Sequence, residues 1–91
     1  MVEKLITALE GTILFLRNSQ SSDWASVSVE EIIPQLEAEI NKAGKSQPIN
    51  ANLLSLLFAP TGAIQEIAID NGWGNEFLRV SQIIEQFTRR D

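Results

Sequence analysis

The sequence predicts a compact all-α domain of four or five short helices, on three observations. Apolar residues recur at a three-to-four residue period along nearly the whole chain. Helix-capping signatures fall between those periodic segments. No alternating run is long enough to build a sheet. With 91 residues the chain is one small domain, 1–91, and 44% of it is hydrophobic, enough for a core. A chain of this size buries little more than about 60% of its unfolded surface, so its stability is modest and a second copy would add to it.

The first helix is read from Leu5, Leu9, Ile13 and Leu16, which fall on one stripe that Ile6 and Phe15 widen. Gly11 weakens its middle by about 1 kcal/mol relative to Ala. Arg17 suits its last turn, and NSQSSD breaks the pattern. Ser28 followed by Glu31 is a capping box that starts the second helix, with Val27 and Ile32 placed as a hydrophobic staple. Ile32 or Ile33, Leu36, Ile40 and Ala43 form its inward stripe. Pro34 removes one N–H from this helix, which predicts a kink or a loosely attached first turn. Lys42 favours the helix C-terminus and Gly44 is the expected left-handed cap. After KSQP, Asn50 caps a short third helix, with Ile49 and Leu54 as another staple. Leu53, Leu54, Leu56, Leu57 and Phe58 surround it, which predicts a buried, central element that Pro60 ends.

Residues 59–77 read APTGAIQEIAIDNGWGNEF. Thr61 is placed to cap a fourth helix running from about Gly62 to Asp70, with Ile64, Ile67 and Ala68 on one face. The competing reading takes EIAID-NG-WGNEF as a β-hairpin, because Asn-Gly is a strong two-residue turn signal. The helical reading is preferred: no other strand exists for a hairpin to join, and an isolated hairpin is marginal in water. It makes Asn71 the C-cap and places Gly72 in the left-handed position, with Trp73 packing back on Ala68 or Ile67. Asn75 then caps the last helix, Glu76 sits in its first turn, and Phe77, Val80, Ile84 and Phe87 form its inward stripe, closed by Arg89 and Arg90. Asp70 has no such explanation. It stands near the negative end of a helix dipole, a placement that costs roughly 0.3–1 kcal/mol when exposed. It accepts bonds from the next turn, or it holds a cation or a partner's arginine.

The composition excludes several chemistries. There is no cysteine, hence no disulfide, thiolate nucleophile, iron–sulfur cluster or zinc finger. There is no histidine, which removes the commonest general base and transition-metal ligand. The net charge of −5 and the lack of a basic cluster beyond Arg89–Arg90 argue against nucleic acid. No run of about 18 apolar residues is present, so no membrane span is expected. Glu3 and Glu10 interrupt the first segment, no basic region precedes it and no small-residue cleavage site follows. It is read as a folded helix of a cytoplasmic protein and not as a signal peptide.

The remaining polar residues read as follows. DNGWGNE fails as a calcium loop, because its glycines stand third and fifth where an EF-hand needs one at the sixth position. PTG and GWG lack the pattern of a phosphate loop. Glu66 and Asp70, four apart, share a helical face; a solvated face is the plainer reading than a metal or acid–base pair. Glu37 and Glu39 flank the apolar stripe of the second helix and read as exposed charge. Trp24 and Trp73 lie in loops, where an aromatic is either core or a contact anchor.

An apolar first helix, a loop carrying SSDW, an amphipathic second helix, then LLSLLFAPTGAIQEIAID and a closing helix together resemble a family of small uncharacterised bacterial helical domains. Their mark is a phenylalanine–small–x–glycine turn between two buried helices. Here the turn is Phe58-Ala59-Pro60-Thr61-Gly62, one residue longer than in that family. The resemblance implies an all-helical fold, no established enzyme activity and a link to small interaction or immunity-type proteins.

The leading functional expectation is a non-catalytic protein-interaction module, immunity-type or regulatory, acting on a protein partner or as a homodimer and using no cofactor. Its candidate surface is Asp70, Trp73, Glu66, Glu76 and Trp24. The alternatives are a carboxylate metal or enzymatic site using Glu66, Asp70 and Glu76, and a structural subunit of a larger assembly.

Overall fold

The computed structural model describes residues 2–20, 27–60 and 62–88, and among these it contains five helices and no strand. They are α1 (Val2–Arg17), α2 (Val29–Gly44), α3 (Ala51–Leu57), α4 (Ala63–Asp70) and α5 (Gly74–Thr88). The all-α expectation holds, and residues 64–77 form helix–turn–helix where the hairpin reading would have placed two strands. None of these helices is long and apolar enough to cross a membrane.

The centre of the fold is α1. It lies between α2 and α5, while α5 also receives α3 and α4. Leu5, Leu9 and Leu16 are fully buried and Ile13 nearly so, as the stripe predicts. Each such side chain contributes about 1.5–3 kcal/mol on leaving water. Thr12 is buried on the same helix; its hydroxyl donates to Ala8 O at 2.8 Å, so no polar atom is left wanting. The expectation that α3 is central is corrected. Only Leu54 and Leu57 of α3 are buried, and Leu56 is 72% exposed. The seven-residue α3 packs mainly on α5, and Leu56 lies on the side that this contact leaves open.

The start of α2 matches its signature. Ser28 Oγ accepts from Glu31 N at 3.3 Å, and Ser28 N donates to Glu31 Oε1 at 3.3 Å. Val29 and Ile32 are buried, so the first turn ahead of Pro34 is packed onto the core and not loosely attached. At its other end the left-handed residue is not Gly44 but Ser46, with φ 56°. Gly44 remains helical. Gln47 N donates to Lys42 O at 2.8 Å and Ser46 N to Ala43 O at 3.2 Å, which is the paired closure of a Schellman turn set two residues later than the glycine. Asn50 caps α3 as expected, its side chain accepting from Leu53 N at 3.1 Å.

Two further boundaries differ from the sequence reading. The N-cap of α4 is Gly62, which offers no side-chain bond, and the expected cap Thr61 lies outside the described residues. A Cβ at Gly62 would stand 2.9 Å from Ala59 O and 3.0 Å from Leu56 O, so the α3–α4 turn closes against this glycine's bare Cα. At the other boundary, α5 begins at Gly74, and Asn75 is inside the helix and not its cap. The residue before the helix is Trp73, whose carbonyl accepts from Phe77 N at 2.9 Å.

Candidate functional site

Of the residues singled out from the sequence, Trp73 lies in the turn between α4 and α5, and Asp70 ends the helix before it. Gly72 adopts φ +83°, as a left-handed cap residue must. Trp73 N donates to Ala68 O at 2.9 Å and Gly72 N to Ile69 O at 3.3 Å, completing the Schellman closure of α4. That closure turns the Trp73 side chain inward. The indole is 4% exposed, lies parallel to the Phe15 ring with centroids 4.9 Å apart, and donates from Nε1 to Ser19 Oγ at 2.9 Å. The Ser19 hydroxyl in turn donates to Phe15 O at 2.7 Å, so one chain of bonds ties the end of α1 to the turn. Trp73 is thus a core residue. It presents no aromatic face to a partner, and its work is to join α1 to the α4–α5 corner.

Asn71 has a larger role than a helix cap. Its Oδ1 accepts from Gln20 N at 3.1 Å, and its Nδ2 donates to Gln20 O at 2.9 Å and to Ile67 O at 2.8 Å. One side-chain amide thereby pairs with both backbone groups of a residue 51 positions away. The amide orientation is the one that satisfies all three partners. Local sequence cannot reveal this bond, because its partner is backbone on a distant segment.

Of the other candidates, Asp70 and the neighbouring Ile69 are exposed, while Glu66 and Glu76 are half-buried. Glu76 lies in the first turn of α5, where a carboxylate is favoured by the helix dipole. Glu66, Asp70 and Glu76 do not converge. Among the described residues no three acidic groups lie close enough to hold a metal ion together. Trp24 lies outside the described residues.

The carboxylate that the fold does enclose is Glu39, read from the sequence as exposed charge. It is 2% exposed. Its Oε1 accepts from Asn50 N at 2.6 Å and its Oε2 from Lys42 Nζ at 2.9 Å. Glu39 therefore holds the amide at the start of α3, a donor that the helix itself leaves unpaired. A signal was present. Buried positions of α2 run Val29, Ile32, Leu36, Glu39, Ala43, an alternating three-and-four spacing in which Glu39 takes an inward place. The stripe through Ile40 missed this phase.

The open surface is furrowed between helices. A groove of about 760 Å³ runs between α1 and α2 past Ile13, Leu14 and Ile40, with Glu10, Arg17 and Glu37 on its rim. Arg17 bridges to Glu37 at 3.1 Å across it. Leu14 is 64% exposed there. Comparison of the chain with protein-family models, curated proteins and solved structures returns no significant match.

Proposed function

We propose that this domain is a non-catalytic protein-interaction module whose contact surface is the α1–α2 groove. The observation that carries the reading is Leu14, a large apolar side chain 64% exposed in an open furrow with a charged rim. An apolar anchor inside a polar rim is the usual anatomy of a protein interface. The groove between two near-continuous helices suits an amphipathic helix laid along it. Glu10 on the rim favours a partner with a basic residue beside its apolar face, Glu37 being already paired with Arg17. The absence of histidine and cysteine from the sequence supports a binding role over catalysis. The acidic α4–α5 corner with Asp70 and the exposed Ile69 is the second surface of interest, without Trp73 as its anchor.

The test is capture from a lysate of the source cells with wild-type protein, Leu14→Asp and Asp70→Ala, each first shown to be folded by circular dichroism. A partner held by wild type and by Asp70→Ala but lost by Leu14→Asp supports the groove. A partner lost only by Asp70→Ala moves the surface to the α4–α5 corner. Equal capture by all three refutes both assignments.

A further inference from the structure

The Asn-Gly pair that reads as turn chemistry also joins an electrophile to a nucleophile. In an Asn-Gly sequence the glycine nitrogen can attack the asparagine side-chain carbonyl, because glycine carries no side chain to obstruct the approach. Gly72 is exposed, and the space where a Cβ would stand is empty to 4 Å. Three features of the closed turn oppose the reaction. The Gly72 N–H is engaged by Ile69 O, which keeps its proton in place. The Asn71 amide is fixed by three bonds to Gln20 and Ile67. Trp73 N, bonded to Ala68 O, holds the backbone on the far side of the glycine.

We propose that Asn71–Gly72 is a site of spontaneous succinimide formation, held unreactive while the turn is closed, at which modification irreversibly releases the end of α1. When the clasp to Gln20 opens, the Gly72 nitrogen gives its proton to solvent base and bonds to Asn71 Cγ. The Cγ–Nδ2 bond breaks and ammonia leaves after taking up a proton. Water then opens the ring at either carbonyl, giving aspartate or isoaspartate; no electron changes hands. Neither product restores the clasp. An aspartate sets a carboxylate oxygen against Gln20 O and Ile67 O, where the amide had donated to both. An isoaspartate adds a methylene to the main chain, which breaks the register of the Trp73 N to Ala68 O bond. Asp70 beside it and the negative end of the α4 dipole add unfavourable charge to either acid. Ring closure is slow beside opening and reclosing, so the rate of modification follows the fraction of time this corner stands open.

The test incubates the full chain at mildly alkaline pH, native and in concentrated urea, and follows amide-to-acid conversion at each asparagine by peptide mass mapping. Asn18, which precedes a serine, serves as internal reference. Conversion at Asn71 is expected to be at least about tenfold slower in the native protein than in urea. Trp73→Phe, which keeps a ring but loses the bond to Ser19, is expected to raise the native rate several-fold. Equal native and denatured rates overturn the protection by the closed turn. No excess of Asn71 over Asn18 in urea overturns the site itself. Asn71→Asp, which imitates one product, is expected to lose amide-exchange protection at the end of α1. Protection equal to wild type overturns the release.

Discussion

Replacing Glu39 tests the least expected contact in the fold. Its two bonds are charge-assisted, and each such bond contributes about 1.5–3 kcal/mol when both groups are shielded from water. The Lys42 side chain is 38% exposed, so that half is discounted for solvent screening. The Asn50 half counts more fully, because Glu39→Ala takes away the acceptor of the amide at the start of α3 and opens a void on the buried face of α2. The net expectation for Glu39→Ala is a loss of about 2–4 kcal/mol, out of a total of roughly 5–14 kcal/mol for 91 residues. That corresponds to a fall in Tm of roughly 10–25 °C. Glu39→Gln keeps an oxygen for Asn50 N and surrenders only the charge, so its loss is expected to be about half as large. Urea denaturation followed by far-ultraviolet circular dichroism gives the energies, and amide exchange at Asn50 and Leu53 gives the location. A loss below about 1 kcal/mol for Glu39→Ala, or unchanged protection at Asn50, refutes the assignment of α3's anchorage to this carboxylate.

Two backbone positions give further predictions. Gly62→Ala is expected to cost about 1–3 kcal/mol, since the new Cβ meets two main-chain carbonyl oxygens and only a shift of the backbone relieves the contact; thermal melts showing no loss would place the turn differently. Ser46→Gly is expected to stabilise by about 0.5–1 kcal/mol, because a serine at φ 56° carries strain that glycine lacks, less the greater freedom of glycine in the unfolded chain; a destabilised variant would show that Ser46 does more than turn the chain.

Much of this architecture is local and so was legible. The capping box at Ser28 and Glu31, the cap at Asn50 and the Gly72–Trp73 closure are decided within a few residues, and each appears as its spelling predicts. Errors arose where the deciding partner is remote. Glu39 looks solvated until the start of α3 is brought against it. Leu56 looks buried until α3 packs mainly on α5 and leaves that side chain on the open side. At Ser46 the sequence offered a nearby glycine, but the helix runs through Gly44 as its last residue, and the preference of glycine for left-handed backbone lost to continued helical bonding. Of the candidate site residues, Trp73 shows the limit most clearly. A tryptophan in a loop is equally an anchor and a core residue until the Phe15 ring is found stacked on it. Asp70, Glu66 and Glu76 share a neighbourhood in sequence without converging on one point in space.

The central place of α1, between the second helix and the last, also bears on how the protein is made. On the ribosome, α1 and α2 emerge early and can pair while the rest of the chain is still being translated. The other flank of α1 has no cover until residues 74–88 have cleared the exit tunnel. Until then Phe15 has no indole to rest against, and the nascent hairpin of two helices keeps an oily edge in water. Synthesis thus passes through an interval in which half the core is built and exposed, a state in which pausing invites either a chaperone or a neighbouring nascent copy.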